Sequence, residues 1–391
     1  MPEKKKHVVP RLRFPKFSDS GEWEVKRLGE VISLEYGAAL PEDQRIEGPF
    51  PVVGSNGIVG YHNEHLVDGP AIVIGRKGSA GQVNWIEDAC YPIDTTYYVV
   101  LKNTEDHLHF FRLLLERHQL SDIVSPGGVP GLNRDDVYSV ISAIPVPAEQ
   151  QKIADCLGSL DDLIRAEEAA LEALKKHKKG LMQRLFPRKG ETTPRLRFPE
   201  FRDSGEWEVK RLGEVFLERN ERNGSDLELL SVTMSDGVVR AADLERKNSA
   251  SADLSNYKKV YPNDIVYNSM RMWQGASGVS SWSGIVSPAY TVIIPKQNQE
   301  PLFWAYYFKL ESTIEKFRRY SQGVTSDTWN LKYPAFSSIK LALPSSPDEQ
   351  LRIANCLASL DDLLRARSKR IEALKQHKKG LMQQLFPQEI D

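Results

Sequence analysis

Apolar residues recur at alternating steps of four and three along two stretches of the chain, residues 149–187 and residues 349–387. Such steps place the side chains on one stripe of an α-helix, and a stripe of this length is typical of a coiled coil. Because the two stretches are similar in sequence, we expect the two helices to pack against each other. The stripe positions are Ile153, Leu157, Leu160, Ile164, Leu171, Leu174, Leu181 and Leu185 in the first helix, and Ile353, Leu357, Leu360, Leu364, Ile371, Leu374, Leu381 and Leu385 in the second.

A second repeat lies outside the helices. Residues 10–31, PRLRFPKFSDSGEWEVKRLGEV, return nearly unchanged as residues 194–215. The chain therefore consists of a repeated block, a variable segment and a helix, each occurring twice. A shared frame holding two unrelated variable segments is the arrangement that this order indicates. The predicted parts are a globular domain over residues 1–148, a helix over 149–187, a second domain over 188–345 and a second helix over 346–391.

The variable segments, residues 32–144 and 216–343, contain short β-branched and aromatic runs separated by glycine. Such runs predict strands joined by tight turns. One helix is expected near residues 106–119 and another near residues 301–320. Each variable segment is thus predicted to be an α+β domain with a curled sheet.

The order of the parts predicts that the long helices are antiparallel. The first helix runs from the first domain towards the second block, and pseudo-symmetry returns the second helix towards the first block. The seam from residue 153 to residue 185 is about 50 Å long at about 1.5 Å per residue, which makes the pair a spacer. Polar residues interrupt the seam, and pairing Ile153 with Leu385 brings its lysines beside aspartates of the other helix. We interpret these residues as fixing the register, although long lysine stems that reach water are an equal alternative. The register residues are Asp161, Asp162, Glu167, Lys178, Asp361, Asp362, Arg367 and Lys378.

Composition narrows the class of protein. A net charge of −1 argues against a uniformly basic protein that coats nucleic acid. Three cysteines without a CxxC pair suit a reducing compartment. No run approaches the length of a membrane span, and we expect a cytoplasmic protein.

Catalytic motifs are missing from the sequence. It contains no GxGxxG after a strand, no GxxxxGK[ST], HExxH or GxSxG, and no Asn-Pro-Pro-aromatic motif. Asp94, Asp135 and Asp136 are interpreted as turn and cap residues rather than metal ligands. His107, His109 and His118 lie on a predicted helix without metal-ligand spacing, so we expect all three on the surface.

Polar and basic residues flanked by glycine cluster in loops of both variable segments. Glycine lets the backbone approach a ligand closely, arginine and lysine suit guanine or phosphate, and asparagine and glutamine match adenine. A solvated turn is an equal alternative for any one of them, and the clustering carries the hypothesis of DNA binding. The candidates are Ser55, Asn56, Arg76, Lys77, Ser79, Gln82, Asn133 and Arg134 in the first domain, and Asn268, Arg271, Trp273, Gln274, Gln322, Thr325, Asn330 and Lys332, with Ser326 beside them, in the second.

Several motifs together resemble the specificity subunit of type I restriction–modification enzymes. They are W-x-x-x-x-L-G-E at residues 23–30 and 207–214, Glu-Gln at the start of each long helix, and LMQRLF and LMQQLF at the ends. GRKGSAG, and RMWQGASG followed by SPAY, are similar to segments of target recognition domains in that family.

The resemblance implies two target recognition domains, each reading half of a split site in double-stranded DNA. It implies a helix pair that spaces them and docks two modification subunits, which carry S-adenosylmethionine and methylate adenine N6. Restriction subunits, the motor-nucleases, would join for cleavage with ATP and Mg²⁺, and the chain itself would bind no cofactor. Three alternatives stay open at this point: a stand-alone regulator, a coiled-coil scaffold without DNA function, and a fused enzyme.

Overall fold

A computed structural model of the chain describes residues 8–124, 131–224, 226–234, 236–244, 253–325 and 328–387. Contacts divide it into two compact units. Unit 1 comprises Met1–Glu168 and Lys369–Asp391, and unit 2 comprises Ala169–Ser368. Each unit therefore contains one variable segment and a part of both long helices.

Unit 1 begins with a 3₁₀ turn at Pro15–Phe17, and further 3₁₀ turns lie at Glu42–Gln44 and Leu120–Ile123. Its strands are β1 (Glu24–Arg27), β2 (Ile32–Tyr36), β3 (Phe50–Gly54), β4 (Gly57–His62), β5 (Ala71–Gly75), β6 (Val83–Ile86), β7 (Tyr91–Pro92), β8 (Thr96–Leu101) and β9 (Ile141–Ile144). Its helices are α1 (Leu28–Val31), α2 (Leu108–Arg117), α3 (Arg134–Ser139) and the first part of α4 (Pro147–Leu185).

Unit 2 has 3₁₀ turns at Pro199–Phe201, Ala241–Asp243 and Met272–Gln274. Its strands are β10 (Glu208–Arg211), β11 (Phe216–Arg219), β12 (Leu230–Thr233), β13 (Gly237–Arg240), β14 (Lys258–Val260), β15 (Ile265–Asn268), β16 (Ser277–Val279), β17 (Gly284–Val286), β18 (Tyr290–Pro295) and β19 (Lys340–Leu343). Its helices are α5 (Leu212–Val215), α6 (Pro301–Tyr307), α7 (Glu311–Tyr320), α8 (Tyr333–Ser338) and the first part of α9 (Pro347–Leu385).

Each unit contains a four-stranded sheet, and the two sheets have the same strand order. Within the described residues, unit 1 has an antiparallel sheet of order β2-β8-β5-β6, and unit 2 has one of order β11-β18-β15-β16. The expectation that the variable segments are unrelated is therefore wrong at the level of the fold. They differ in what is added to the sheet, which is β4-β3-β7 in unit 1 and the pairs β12-β13 and β14-β17 in unit 2.

The helix expected near residues 301–320 is two helices, α6 and α7. The chain leaves the helical conformation at Leu310, whose backbone is extended (φ −71°, ψ 137°). This break lets the fully buried Phe308 meet Phe317 edge-on at 5.3 Å, so that both rings enter one core. The helix expected near residues 106–119 is present as α2.

Each core joins the sheet to the start of one long helix and the end of the other. In unit 1 Phe110 of α2 stacks on Phe386 at 5.4 Å, and Trp23 meets both rings edge-on at 6.2 Å. In unit 2 Phe186 contacts Phe303 at 5.2 Å and Trp207 at 6.2 Å. Trp23 and Trp207 belong to the repeated block, and Phe186 and Phe386 end the LMQxLF motif. Their burial in the two cores explains why both motifs recur.

The repeated block also fastens the start of each long helix. Arg13 donates two hydrogen bonds to the buried carboxylate of Glu149, at 2.8 and 2.7 Å. Arg197 does the same for Glu349, at 2.7 Å each. The amide of Gln150 accepts from His107 N at 2.9 Å and donates to Pro145 O at 3.0 Å. The recurring Glu-Gln pair is thus a structural anchor between block, domain and helix.

The long helices are antiparallel, which confirms the prediction. In unit 1 the start of α4, with Ile153 and Leu157, shares a core with the end of α9, with Leu385. Lys378 Nζ of α9 lies 2.6 Å from Asp161 of α4, and Arg370 Nε lies 3.2 Å from Glu167. Every stripe position named above is buried or partly buried.

Only one aspartate of each predicted pair meets a lysine. Lys178 contacts Asp361 within unit 2, as Lys378 contacts Asp161 within unit 1. Asp162 and Asp362 point outwards instead and pair with an arginine three residues on in their own helix. Arg367 is partly buried on α9. That these contacts fix the register stays a prediction.

Candidate nucleic-acid interface

Three loops of unit 1 meet at the start of β8. The carbonyl of Thr95 accepts from the Ser55 hydroxyl at 2.7 Å and from the main-chain N–H groups of Arg76 and Lys77 at 2.8 and 3.2 Å. A fourth segment joins them, because Leu132 N donates to Arg76 O at 2.9 Å. Residues far apart in sequence are therefore gathered at one edge of the sheet.

A folded-back turn over residues 75–82 presents part of this edge. Gly75 permits it, since a Cβ there would lie 2.2 Å from the carbonyl oxygen of Ser79. Asn133 caps α3 by accepting from Asp135 N at 3.1 Å. Five of the unit 1 candidates are exposed to solvent, namely Asn56, Lys77, Ser79, Gln82 and Asn133.

Arginine and tyrosine side chains form the most structured part of this surface. The guanidinium carbons of Arg76 and Arg134 lie 5.0 and 5.4 Å from the centre of the Tyr36 ring. Arg76 also lies 5.9 Å from Tyr97, and Arg134 lies 5.9 Å from Tyr138. In the part of the chain that the structure describes, neither guanidinium forms an ion pair with a carboxylate. Two cations without a carboxylate partner among the described residues therefore lie against the half-exposed ring of Tyr36.

Unit 2 brings its candidate loops together by the same main-chain contact. Leu331 N donates to Ser269 O at 2.8 Å, at the position that Leu132 and Arg76 occupy in unit 1. Gln322 and Asn330 exchange two main-chain hydrogen bonds, at 3.0 and 2.8 Å. The loop after β15 and the loop between α7 and α8 thus form one surface.

Aromatic residues stiffen the unit 2 surface. Trp273 and Trp329 meet edge-on at 5.2 Å, and Arg318 lies 5.3 Å over the Trp329 ring. The indole N–H of Trp273 donates to Met270 O at 3.0 Å. Lys309 also contacts this loop, because its ammonium group donates to Gly275 O at 2.6 Å. Burial lowers the pKa of Lys309 to about 8.

The other unit 2 candidates differ in exposure. Asn268 accepts from Met270 N at 3.0 Å, and Gln274 is partly buried. The side-chain oxygen of Asn330 is buried and has no hydrogen-bond partner among the described residues. Ser326 lies outside the described residues. The exposed candidates are Arg271, Gln322, Thr325 and Lys332.

Sequence reasoning missed Tyr36, Arg318, Trp329 and Lys309. The only signal for Trp329 was its place beside Asn330, and Tyr36 follows a strand as an ordinary aromatic residue would. The prediction of surface histidines is wrong, because all three are partly buried. His109 stacks on Trp85 at 5.1 Å, and burial lowers its pKa to about 4.

Within the described ranges, no three histidine, cysteine or acidic side chains gather as a metal site would require. Among the same residues, no helix is both long enough and apolar enough to cross a membrane.

The family model for the type I restriction modification DNA specificity domain matches the chain twice, at residues 20–176 and 204–376. The chain belongs to this family. It is accordingly a type I DNA specificity subunit, and such subunits are the non-catalytic DNA-recognition subunits of restriction–modification complexes. The resemblance drawn from the sequence is thereby confirmed.

Two relatives of the chain are themselves named as specificity subunits of type I restriction enzymes. The chain is 24% identical to the type I restriction enzyme MjaVIII specificity subunit of Methanocaldococcus jannaschii, over 94% of this chain and 93% of that one. It is 24% identical to the EcoDI specificity subunit of Escherichia coli, over 70% of this chain and 57% of that one.

Two solved structures share the fold of the specificity subunit. The S subunit of a type I system from M. genitalium aligns with a TM-score of 0.67 at 15% identity, covering 98% of this chain and all of that one. A chain from a study of complex assembly and conformational transition in the type I R-M system aligns with a TM-score of 0.52 at 17% identity, covering 94% and 98%.

Proposed function

We propose that this specificity subunit directs adenine-N6 methylation to a bipartite site in double-stranded DNA, with one half-site read by each unit. The observation that carries the proposal is the loop cluster at the same sheet edge of both units. In each, a main-chain hydrogen bond joins the loop after the third strand of the sheet to the loop before a short helix. Arginine, amide and aromatic side chains at this edge suit base edges and phosphates.

The helix pair is proposed to set the distance between the half-sites and to dock two modification subunits. The continuity of α4 and α9, each of 39 residues, supports a rigid spacer. At about 1.5 Å per residue each helix is about 58 Å long, which exceeds one turn of DNA. The modification subunits would supply S-adenosylmethionine, and restriction subunits with ATP and Mg²⁺ would join for cleavage. We place this assembly in the cytoplasm.

The net charge of the chain limits how much DNA affinity it can supply by itself. With a net charge of −1, the isolated chain offers little neutralisation of phosphates. We therefore expect weak and strongly salt-dependent DNA binding by the chain alone, and site-specific binding by the complex.

Two arginine substitutions test the reading surfaces separately. Arg76→Ala should relax only the half-site read by unit 1, and Arg271→Ala only the other. Loss of one good base contact costs about 1–3 kcal/mol of discrimination, or about 5- to 150-fold. The measurement is methylation by the complete modification complex on duplexes varied at each position. Arg11→Ala and Arg195→Ala, exposed arginines of the repeated block, are the matched controls.

An unchanged recognition site in both variants would remove these loops from the reading surface. The chain could instead purify without any methyltransferase subunit and bind a specific site tightly by itself. That result would favour a stand-alone regulator.

A further inference from the structure

Tyr36 of unit 1 lies between two side chains that the sequence places far from it. Its ring is half exposed, at 50%, and it ends strand β2. Arg76 reaches it from the turn after β5, and Arg134 reaches it from the first residue of α3. The Tyr36 ring therefore contacts both arginines of the unit 1 loop cluster.

The rings around the two arginines are fixed by the backbone. Tyr97 donates to Leu132 O at 3.2 Å, and Tyr138 accepts from Leu34 N at 2.8 Å. Tyr36 packs on Tyr97 with ring centres 5.1 Å apart. The Tyr36 ring thus rests on a partner whose own position is set by the fold.

Each guanidinium has few other restraints. Arg76 donates one hydrogen bond to Asp94 O at 3.0 Å, which leaves most of its N–H groups without a partner among the described residues. Two cations repel each other when they share a site, but the negative face of an aromatic ring attracts both. The ring therefore selects, from many arginine rotamers, those in which both guanidinium groups lie over it.

We propose that Tyr36 is a positioning residue for DNA reading by unit 1. Its ring holds Arg76 and Arg134 so that both meet acceptor atoms of one half-site together. The acceptors are guanine O6 and N7 or phosphate oxygens, since a planar guanidinium donates well to either. The inference rests on the proposed function and adds to it the residue that orders the two cations.

Unit 2 does not carry a tyrosine at the matching position, which supplies an internal control. The residue at the matching position there is Asn220, and at the unit 2 loop cluster Arg318 of α7 lies over Trp329 instead. A substitution of Tyr36 should therefore act on one half-site only.

The experiment compares Tyr36→Leu with Tyr36→Phe in the complete modification complex. Initial methylation rates are measured on duplexes varied in either half-site and at several salt concentrations. Leucine removes the ring and should cost about tenfold in the unit 1 half-site, because two exposed cation–π contacts are worth about 0.5–1 kcal/mol each. Phenylalanine keeps the ring and should stay near wild type. The unit 2 half-site should not change in either variant.

The pattern of loss identifies the acceptor. Relaxed base preference in the unit 1 half-site assigns the arginines to guanine edges. A uniform loss of rate with a weaker salt dependence assigns them to phosphates. Either result supports a positioning role, provided that Tyr36→Leu adds nothing once Arg76 and Arg134 are both alanine.

Three results would overturn the inference: wild-type behaviour of Tyr36→Leu, equal loss in both half-sites, or equal loss with phenylalanine. Thermal unfolding of each variant separates these from misfolding. If Arg76→Ala relaxes the unit 1 half-site and Tyr36→Leu does not, the inference alone fails. If neither Arg76→Ala nor Arg271→Ala alters the recognised site, the proposed function fails.

Discussion

Substituting Asp161 tests how the helix pair is held in unit 1. This carboxylate lies 2.6 Å from Lys378 Nζ of the other helix and also binds Arg112 of α2. Only 21% of the Asp161 side chain, 16% of Lys378 and 11% of Arg112 are exposed. Asp161→Asn would leave two partly buried cations without their shared carboxylate.

The expected loss lies between two limits. Breaking a buried ion pair costs about 3–5 kcal/mol, whereas an exposed pair is worth about 0–1 kcal/mol. A fifth of Asp161 is exposed, and Glu116 still lies 3.4 Å from Arg112. We therefore expect Asp161→Asn to destabilise unit 1 by about 2 kcal/mol. Lys378→Met should cost about 1 kcal/mol, because Arg112 still pairs with Asp161 and methionine keeps the apolar stem.

The loss should depend on pH. Burial alone would raise the pKa of Asp161, but the hydrogen bonds from Lys378 and Arg112 outweigh it and hold the pKa below the ordinary value of 3.8. The carboxylate therefore stabilises the fold fully above its unfolded pKa, and this contribution disappears as the pH falls through the lower folded value. The difference between wild type and Asp161→Asn should be constant from pH 5 to 7 and shrink below about pH 4.

Hydrogen exchange of α4 amides under increasing denaturant is the assay, because a chain of two units need not unfold in one transition. Asp162→Asn is the matched control, since that side chain is 71% exposed. It should cost less than about 0.5 kcal/mol. Equal effects of Asp161→Asn and Asp162→Asn would refute the reasoning.

Two further predictions concern buried charges. Because burial lowers the pKa of Lys309 to about 8 from 10.5, the unfolded chain binds a proton there that the folded chain does not, and stability should rise between these pH values. Lys309→Met should abolish that rise in urea unfolding of unit 2, and an unchanged slope would exclude Lys309 as its source. Arg13→Met leaves the carboxylate of Glu149, which is 1% exposed, without its partner, and should cost about 3 kcal/mol or more in denaturant unfolding. The exposed Arg195→Met is its control, and comparable losses would contradict the argument.

The helix pair could be predicted because its information is local. Heptad spacing gives the stripe, and the order of repeated blocks gives the direction. The sequence did not separate Asp161 from Asp162, although each residue turns a helix by about 100° and points the second outwards. The break between α6 and α7 was missed because residues 301–320 keep helical periodicity, and tertiary packing of Phe308 and Phe317 decided the outcome.

The candidate site was only partly predictable. Glycine-flanked loops marked Arg76 and Arg134, since tight turns have a local signature. Tyr36 carries no such signature, because an aromatic residue at the end of a strand is more often part of the core. Its contacts join residues 36, 76 and 134, and only the folded sheet brings these together.

The central claim is that two readers act at a distance set by the helix pair. It is tested by inserting one heptad at the same place in both α4 and α9 and mapping methylated adenines in cells that supply the modification subunit. Seven residues add about 10 Å, or about three base pairs at about 3.4 Å each. The account predicts the same two half-sites with a correspondingly longer gap. An unchanged gap, or altered half-sites, would contradict it.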